Sequence, residues 1–597
     1  MNCPSRTDNP SDNPGWNQSP PLLTADLTTR KDLNGMANMR VRKGKGTGPN
    51  GTELNPGQDI PSKSPDEDEP GAHSAGKDAH GSTVGEREVG LEEDVDNRRI
   101  SSSSWPNFHG YSGGAGSGNL GKFGPRELIH RLVKTLRKFG QFIGPGFLIA
   151  VAYIDPGNYA TDVAAGASTK YSLLFIIFMS NVIAVFLQSL CIKLGSVTGL
   201  NLAENCKAHL PKWLNILLYV LSEAAIIATD IAEVVGSAIS LNLLFNIPLV
   251  AGCAITLVDV MVILIFYKPH GTMRALRAFE FFVMALVFGV VGCFCVQLSL
   301  IKESSVGEIF KGYLPSEAIV KDNGAVSLYL SCGILGATVM PHSIFLGSGV
   351  VQSRLREYDI NRGYIDPSVQ YGNTYEDKYR PTVHAIRGCL KYSVLELVLS
   401  LFTFALFVNS SILIVAGASL SGSEASDADL FGIHRLLSET ISPAAGTVFA
   451  IALLLSGISA GIVCTIAGQM VSEGMLNWSV APWLRRLITR SISIIPSVII
   501  AAAVGKEGLN AALTASQVVL SAMLPFVSAP LIYFTSRSRY MTVEAGLMTG
   551  NSNPEGQEVK GVSMKNNWLV TILGVLIWIV ITVLNIALLV LVGMGKA

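Results

Sequence analysis

Eleven apolar runs, each long enough to cross a lipid bilayer as a helix, constrain the fold of this chain more than any other feature. A transmembrane helix needs about 20 mostly apolar residues. The runs occupy residues 142–166, 171–195, 214–242, 247–267, 277–301, 326–352, 389–416, 443–470, 487–504, 509–535 and 567–594. Only 15% of all residues are charged, which agrees with this pattern. The predicted fold class is an all-α polytopic membrane protein.

The first run is interrupted by the sequence Asp155-Pro156-Gly157-Asn158. A carboxylate in mid-span costs about 3 kcal/mol even on a lenient insertion scale, so its presence indicates a function. Pro156 has no N–H group, and the carbonyl of Ala152 therefore loses its helical donor. Gly157 allows the backbone to leave the helix. The break brings together a carboxylate, a carboxamide and a free carbonyl, which are oxygen ligands suited to a metal cation.

The sixth run has a corresponding break. Pro341 removes the helical donor from the carbonyl of Ala337, four residues earlier. Met340 adds a thioether, a soft ligand that prefers transition metals to calcium or magnesium. The breaks in the first and sixth runs predict two inverted five-helix repeats followed by an eleventh helix. In transporters of this organisation, the substrate site lies where the two broken helices meet.

The polar and apolar regions also predict a domain organisation. Residues 1–120 are rich in Pro, Gly, Ser and Asp, which predicts a disordered cytoplasmic tail. Such a tail offers sites for ubiquitin-ligase or trafficking adaptors, although a solvated extension without partners is the favoured interpretation. The other predicted regions are a basic juxtamembrane segment (121–141), the first repeat (142–301), the second repeat (302–535), a cytoplasmic loop (536–566) and the eleventh transmembrane helix (567–597).

Basic residues gather in every second connection between the runs, as in the group Arg485, Arg486 and Arg490. The positive-inside rule places these connections and the N-terminus in the cytoplasm. Because the number of spans is odd, the C-terminus is expected outside. The plasma membrane and an endosomal or vacuolar membrane are equally compatible with this sequence.

Three acidic residues lie in the third run. Glu223, Asp230 and Glu233 are spaced by seven and three residues, so they share one helical face. Such a row can relay protons or line a water path, and we favour this over a purely structural network because buried carboxylates are costly. His342 follows the second break, where an imidazole could carry the coupled proton or simply cap the helix through a hydrogen bond.

Other polar residues within or near the runs have more ordinary interpretations. Glu280 and Glu396 lie near cytoplasmic ends, where salt bridges to Arg or Lys are expected. Gln188 and Gln517 are uncharged groups of the kind that hold membrane helices together. Gln517 could also reach the metal, but packing is the favoured role.

Taken together, these motifs resemble the Nramp family of proton-coupled divalent metal transporters, of the fungal manganese-transporter type. The resemblance extends from about residue 140 to residue 596 and rests on the segments 144–147, 155–158, 223–236, 337–342, 468–470 and 516–518. It implies the fold of the amino-acid and sodium symporters (LeuT type). The site that it implies is formed by the side chains of Asp155, Asn158 and Met340, the carbonyls of Ala152 and Ala337, and sometimes Gln517.

The resemblance also implies a proton route through Asp230 and Glu233, with Glu223 further along. One position departs from the family pattern. Many members have a second histidine five residues after the first, and this chain has Gly347 there. A proton role of that second histidine therefore cannot be transferred, which leaves His342, Asp155 and the acids of the third run.

The predicted function is the import of divalent transition-metal ions, Mn²⁺ above all and also Fe²⁺, Cd²⁺ and Co²⁺, with proton coupling by alternating access. The metal and H⁺ are transported ions. No tightly bound cofactor, nucleic-acid partner or enzymatic activity is predicted. The alternatives are a symporter of the same fold for a small organic substrate and a membrane metal sensor. Asp155 and Met340 argue against an organic substrate, because a substrate carboxylate is usually bound by small residues and backbone N–H groups.

Overall fold

The computed structural model describes residues 144–266, 273–301, 305–316, 324–366, 378–419, 429–476, 482–543 and 561–594. The predicted tail (1–120), the basic segment (121–141) and residues 544–560 of the predicted loop lie outside the described residues. Most of the described residues are helical, and this confirms the predicted fold class.

The first half of the fold contains one broken helix and four further long helices. In chain order its helices are α1 (Pro145–Val151), α2 (Pro156–Thr169), α3 (Leu174–Thr198), the short α4 (Leu202–His209), α5 (Lys212–Phe245), α6 (Leu249–Phe266) and α7 (Met273–Leu300). The short helix α8 (Val306–Lys311) follows.

The second half repeats this order. Its helices are α9 (Gly324–Thr338), α10 (Pro341–Asn361), α11 (Val383–Ser400), α12 (Leu406–Ser419), α13 (Leu430–Leu436), α14 (Pro443–Leu476), α15 (Pro482–Ala503) and α16 (Lys506–Ser536). A π-helical turn, Leu401–Ala405, joins α11 to α12. Strand β1 (Thr542–Val543) pairs antiparallel with β2 (Val562–Ser563), and α17 (Trp568–Gly593) ends the described chain.

Eight helical stretches of the described chain are long and apolar enough to cross a membrane. The other three predicted runs contain the broken pair α1–α2, α6 and α15. Burial differs greatly among the spans: 94% of the most apolar stretch of α9–α10 is buried, against 17% of that of α17. The second broken helix therefore lies at the centre of the bundle, and α17 lies at its periphery.

The two halves pack through reciprocal pairs of helices. The third long helix of the first half, α5, packs against the last helix of the second half, α16. The corresponding helix of the second half, α14, packs against α7, and α5 and α14 also pack against each other. The same reciprocity holds for α2 with α12 and α10 with α3. A pseudo-twofold relation between two five-helix repeats produces such pairs.

The surface of α17 is apolar on nearly every side. Leu576, Val583, Ile586 and Leu589 are exposed, whereas Ile581 on the same helix is fully buried. A helix that presents large apolar side chains all round is stable when lipid rather than water surrounds it. The outer face of this helix therefore contacts the hydrocarbon core of the bilayer.

Candidate metal site

The first break is built by an N-cap and a proline in sequence. Helix α1 ends at Val151 and α2 begins at Pro156. Asp155 is the N-cap of α2 in an extended conformation, and its carboxylate accepts hydrogen bonds from the backbone N–H groups of Gly157 and Asn158, each at 3.1 Å. Proline is favoured at the first position of a helix because its missing N–H would have had no partner there. Local sequence therefore determines this break.

The Asn158 side chain connects the two broken helices. Its Nδ2 atom lies 2.6 Å from Asp155 Oδ1, 3.1 Å from the carbonyl oxygen of Tyr153 and 3.1 Å from the carbonyl oxygen of Ala337. Ala337 belongs to α9, four residues before Pro341. Three oxygen atoms from both breaks thus surround one buried point, which the partly positive amide nitrogen occupies.

This arrangement suits a cation. The carbonyl ends of α1 and α9 both point to the breaks, and the C-terminal end of a helix dipole favours positive charge. Asn158 Oδ1 is buried and has no hydrogen-bond partner among the described residues. Rotation of the Asn158 amide would exchange Nδ2 for Oδ1 and add a fourth oxygen ligand. The carbonyl of Ala152 also receives no hydrogen bond from a described residue.

Two further predicted ligands lie beside the breaks. Gln517 on α16 packs against Gly157, where a Cβ atom would overlap the Gln517 amide. Its Nε2 atom donates to Ser516, whereas its buried Oε1 atom has no partner within the described chain. Met340 is the N-cap of α10 and lies in an apolar cluster with Ala225, Ala228 and Leu520. The structure thus brings Asp155, Asn158 and Ala337 together, with Gln517 adjacent, and places the thioether in apolar surroundings.

A second polar network contacts both breaks. Gln188 Nε2 donates to the Tyr153 hydroxyl at 3.0 Å and to Ser343 Oγ at 2.9 Å. Gly347, the position of the family's second histidine, approaches Gln188 so closely that a Cβ atom there would overlap Oε1. The missing side chain therefore makes room for the Gln188 amide. Gln188 connects α3 with both breaks, in agreement with its predicted role in packing.

His342, at the second position of α10, is buried and turned towards α5. Its Nδ1 atom lies 3.3 Å from Thr229 Oγ1. Thr229 precedes Asp230 directly in the chain. The imidazole therefore lies between the second break and the acidic face of α5.

The acids of α5 have a buried cationic partner. Arg490 on α15, which is 3% exposed, donates to Asp230 Oδ1 and to Glu233 Oε2, the second at 3.0 Å. Ser493 Oγ donates to Asp230 Oδ2 at 3.1 Å, and Cys464 Sγ lies within 4.8 Å of both carboxylates. These side chains form one buried ion-pair network between α5, α14 and α15.

The prediction that Arg490 belongs to a cytoplasmic connection is therefore wrong. The predicted run 487–504 already contained this residue, and its apolar neighbours Ile488 and Ile492 were a signal that it lies inside a helix. Glu223, the third predicted acid, is half-buried on α5 two helical turns before Asp230.

Buried charges also meet near the start of α1. Arg354 on α10 forms a salt bridge with Glu280 on α7 at 3.1 Å, as predicted for Glu280. For Glu396 the expected salt bridge is replaced by hydrogen bonds. Its Oε1 atom accepts from the backbone N–H groups of Gly144 at 2.6 Å and Gly146 at 3.2 Å. The first N–H groups of a helix have no partner within it, so a buried acceptor here stabilises the start of α1.

One histidine outside the spans has shifted acid–base properties. Burial lowers the pKa of His209, at the end of α4, and the charges of Arg539 and Arg380 lower it further. The His209 ring packs against Tyr540 at a centroid distance of 4.7 Å. This histidine is therefore neutral at neutral pH and stabilises the contact between α4 and the segment after α16.

Fold and site together define a class of protein: an α-helical membrane protein in which two broken helices form one buried, oxygen-rich site. The model of the family described as "Natural resistance-associated macrophage protein-like" (Nramp) matches residues 146–545. The chain belongs to the Nramp family, which confirms the resemblance seen in its motifs.

Named relatives agree with this membership. The chain is 50% identical over 499 residues to the manganese transporter SMF1 of Saccharomyces cerevisiae, which covers 77% of this chain and 86% of the yeast protein. It is also 50% identical over 467 residues to the iron transporter SMF3 of the same yeast, covering 76% of this chain and 96% of that protein. Among solved structures it is similar to the Eremococcus coleocola manganese transporter, with 33% identity, a TM-score of 0.61 and coverage of 76% and 86% of the two chains.

Proposed function

We propose that this protein is a secondary active transporter of divalent transition-metal ions, above all Mn²⁺ and also Fe²⁺, Cd²⁺ and Co²⁺. One observation carries the proposal. The Asn158 amide nitrogen lies among three oxygen atoms that come from both broken helices. The relatives named as manganese and iron transporters support the same cargo.

The proposed ligands are Asp155, Asn158 and Met340 with the carbonyls of Ala152 and Ala337. The Mn²⁺ ion replaces the amide nitrogen at the centre of the oxygen atoms, and the Asn158 side chain turns its Oδ1 towards the ion. The proposed ligands come from both broken helices. Movement of any of the half-helices next to the breaks therefore changes the geometry of the site. This coupling supports alternating access.

Proton coupling is proposed to use Asp155, His342 and the acids of α5. His342 contacts Thr229, which leads to Asp230 and Glu233. The guanidinium of Arg490 lets these two acids remain buried, and Glu223 extends the acidic face by two turns. A proton added to one acid would loosen its ion pair, so protonation and helix movement are coupled.

The positive-inside rule supports a cytoplasmic N-terminus and an external C-terminus. In this orientation α2 and α9 form the outer half of the central site, and α1 and α10 form the inner half. An inside-negative membrane potential adds roughly 2.3 kcal/mol per charge per 100 mV, so a divalent ion gains about twice that on entry. Import across the plasma membrane, or from an endosome or vacuole into the cytoplasm, has this direction.

The test is Mn²⁺ uptake by proteoliposomes that contain the purified protein, with internal pH recorded and excess external Ca²⁺ present. We expect saturable Mn²⁺ entry with internal acidification and little inhibition by Ca²⁺. Uptake without acidification would contradict proton coupling but leave the metal site intact. The absence of Mn²⁺ uptake would favour the organic-substrate symporter or the membrane metal sensor.

A further inference from the structure

A buried carboxylate that the metal site does not use lies on the outer half of the first broken helix. Asp162 is on α2, two helical turns after Asp155. It is fully buried, and neither of its carboxylate oxygens has a hydrogen-bond partner among the described residues. Removing a carboxylate from water without a donor or a counter-charge is so unfavourable that such a group takes up a proton instead.

The surroundings of Asp162 follow from the packing of α2 against α12. A Cβ atom on Gly166 would come within 2.6 Å of the Leu413 carbonyl, and one on Gly417 within 2.9 Å of the Lys170 carbonyl. Gly166 is thus level with Leu413, and Lys170, four residues later, is level with Gly417, four residues after Leu413. The two helices therefore run parallel. One more turn places Asp162 at the level of Asn409. The Asn409 Nδ2 atom donates to Tyr153, whereas its buried Oδ1 has no partner among the described groups.

The charges around Asp162 do not favour its anion. Helix α12 has no titratable side chain. The other helices packed against α2 carry the following titratable side chains: Tyr329 and Cys332 on α9, His434 and Arg435 on α13, Lys212, Tyr219, Glu223, Asp230 and Glu233 on α5, Cys464 and Glu473 on α14, and Lys506, Glu507 and Tyr533 on α16. None of these side chains forms a hydrogen bond with the Asp162 carboxylate in the part of the chain that the structure describes, and the negative charge of Asp155 opposes a second negative charge at Asp162.

Asp155 and Asp162 therefore differ although they lie on one helix. Two backbone N–H groups and the Asn158 amide stabilise Asp155 as an anion. Asp162 has none of these donors. When two carboxyl groups have such different surroundings, one group is charged and the other is protonated, so the two can play different roles.

We propose that Asp162 is a proton-carrying residue of the transport cycle: it holds a proton while the outer half of the bundle is closed and releases it when water reaches α2. Asn409 lies at the same level on α12, and we assign its buried Oδ1, which has no partner among the described residues, as the acceptor for the hydroxyl of the protonated acid. This role depends on the proposed function, because only a proton-coupled transporter needs such a residue outside its metal site.

Infrared spectroscopy of the purified protein without metal tests the protonation directly. We expect the carbonyl stretching band of buried carboxylic acids at neutral pH, and we expect Asp162→Asn to remove the component of the band that Asp162 contributes. Ser168→Ala, which changes an exposed hydroxyl on the same helix, is the matched control and keeps the band. A spectrum of Asp162→Asn that retains the full band would overturn the assignment.

Proteoliposomes test the role in transport. The amide of Asp162→Asn mimics the protonated acid, so Mn²⁺ uptake should continue while the number of protons moved per Mn²⁺ falls and the dependence on external pH becomes flatter. Asp162→Glu should restore both properties. Normal uptake of Mn²⁺ by Asp162→Asn with an unchanged proton ratio would contradict the proposal.

A measurement of Mn²⁺ affinity distinguishes a proton-carrying Asp162 from an Asp162 that binds the metal. Calorimetric titration of the purified Asp162→Asn variant with Mn²⁺ should give the wild-type affinity. A large loss of affinity would instead make Asp162 a metal ligand and overturn its role as a proton carrier. If the wild-type protein fails to take up Mn²⁺, the proposed function fails, whereas the infrared band still reports whether Asp162 is protonated.

Discussion

The acid pair Asp230 and Glu233 and the single acid Asp155 are both buried in this bundle, and they differ in what balances their charge. Asp230 and Glu233 share the guanidinium of Arg490. Asp155 has only neutral N–H donors, and no cationic side chain of the described chain pairs with it. A buried acid without a counter-charge is stable only when a proton or a metal ion supplies one. Asp230, Glu233 and Arg490, here called the paired cluster, therefore contain their own cation. The site around Asp155, here called the open site, lacks a cationic side chain among the described residues and can accept a cation from outside.

The strongest test of this difference removes the charge of Asp155. Asparagine is as good an N-cap as aspartate, so Asp155→Asn keeps the start of α2, whereas Asp155→Ala also loses about 1 kcal/mol of capping. We expect both variants to abolish Mn²⁺ uptake in proteoliposomes, because both lose the only anion among the proposed ligands. Saturable uptake by either variant would remove the central claim about this site.

Disrupting the paired cluster should lower the stability of the folded protein. Arg490→Ala leaves two carboxylates buried without a counter-charge, and breaking a buried ion pair in this way costs about 3–5 kcal/mol. We expect a clear decrease in the thermal unfolding temperature of the purified protein in detergent. The matched control combines Arg490→Met with Asp230→Asn and Glu233→Gln, which should recover most of the lost stability. Equal unfolding temperatures for Arg490→Ala and the wild type would contradict the pairing.

Metal selectivity provides a smaller effect at the open site. We expect Met340→Leu to lose discrimination between Mn²⁺ and Ca²⁺ by about tenfold, or about 1.4 kcal/mol, because it removes the soft ligand and nearly conserves volume. Met340→Ala should lose this discrimination to a similar extent. Because Met340→Leu nearly conserves the side-chain volume and Met340→Ala does not, a similar loss in both variants would assign the effect to the sulfur atom rather than to a cavity. The measurement is Mn²⁺ uptake under increasing Ca²⁺. Unchanged exclusion of Ca²⁺ in both variants would show that the thioether does not filter the metal.

The smallest expected effect concerns the network beside the open site. Gly347→Ala adds a Cβ atom that overlaps Gln188 Oε1 and should displace the amide from Tyr153 and Ser343. Lost hydrogen bonds of this kind cost about 1 kcal/mol. Because both changes act on one contact, Gly347→Ala and Gln188→Ala should be non-additive in thermal unfolding. Strictly additive effects would indicate that Gly347 and Gln188 are independent.

The sequence predicted the geometry of the first break better than the ion pairs between Arg490 and the acids of α5. Asp155 as a helix cap and Pro156 as the first helical residue act within a single turn, so their effect is visible in the local sequence. The same holds for Pro341 and the Ala337 carbonyl. Asp162, by contrast, is one polar residue in an apolar run, and its lack of hydrogen-bond partners among the described residues is a property of the packed helices.

The sequence revealed the two acids of the paired cluster but not their cationic partner. The acids of α5 share a face by their spacing, but Arg490 lies 257 residues after Glu233 in the chain. A basic residue near the end of an apolar run has the same sequence appearance whether it faces the cytoplasm or a neighbouring helix. Glu396 shows the same limit, because its partners are backbone N–H groups of α1 that no sequence pattern assigns to it.

The sequence by itself determined the number of apolar runs, the two helix breaks and the polar and thioether side chains at each break. These depend on local physics: apolar length, the missing N–H of proline and the capping carboxylate. Tertiary structure alone decided which charges are paired, where the Asn158 amide points and which carboxylate is left without a donor. Such properties arise between helices that are distant in the chain, and burial makes their energies large enough to matter.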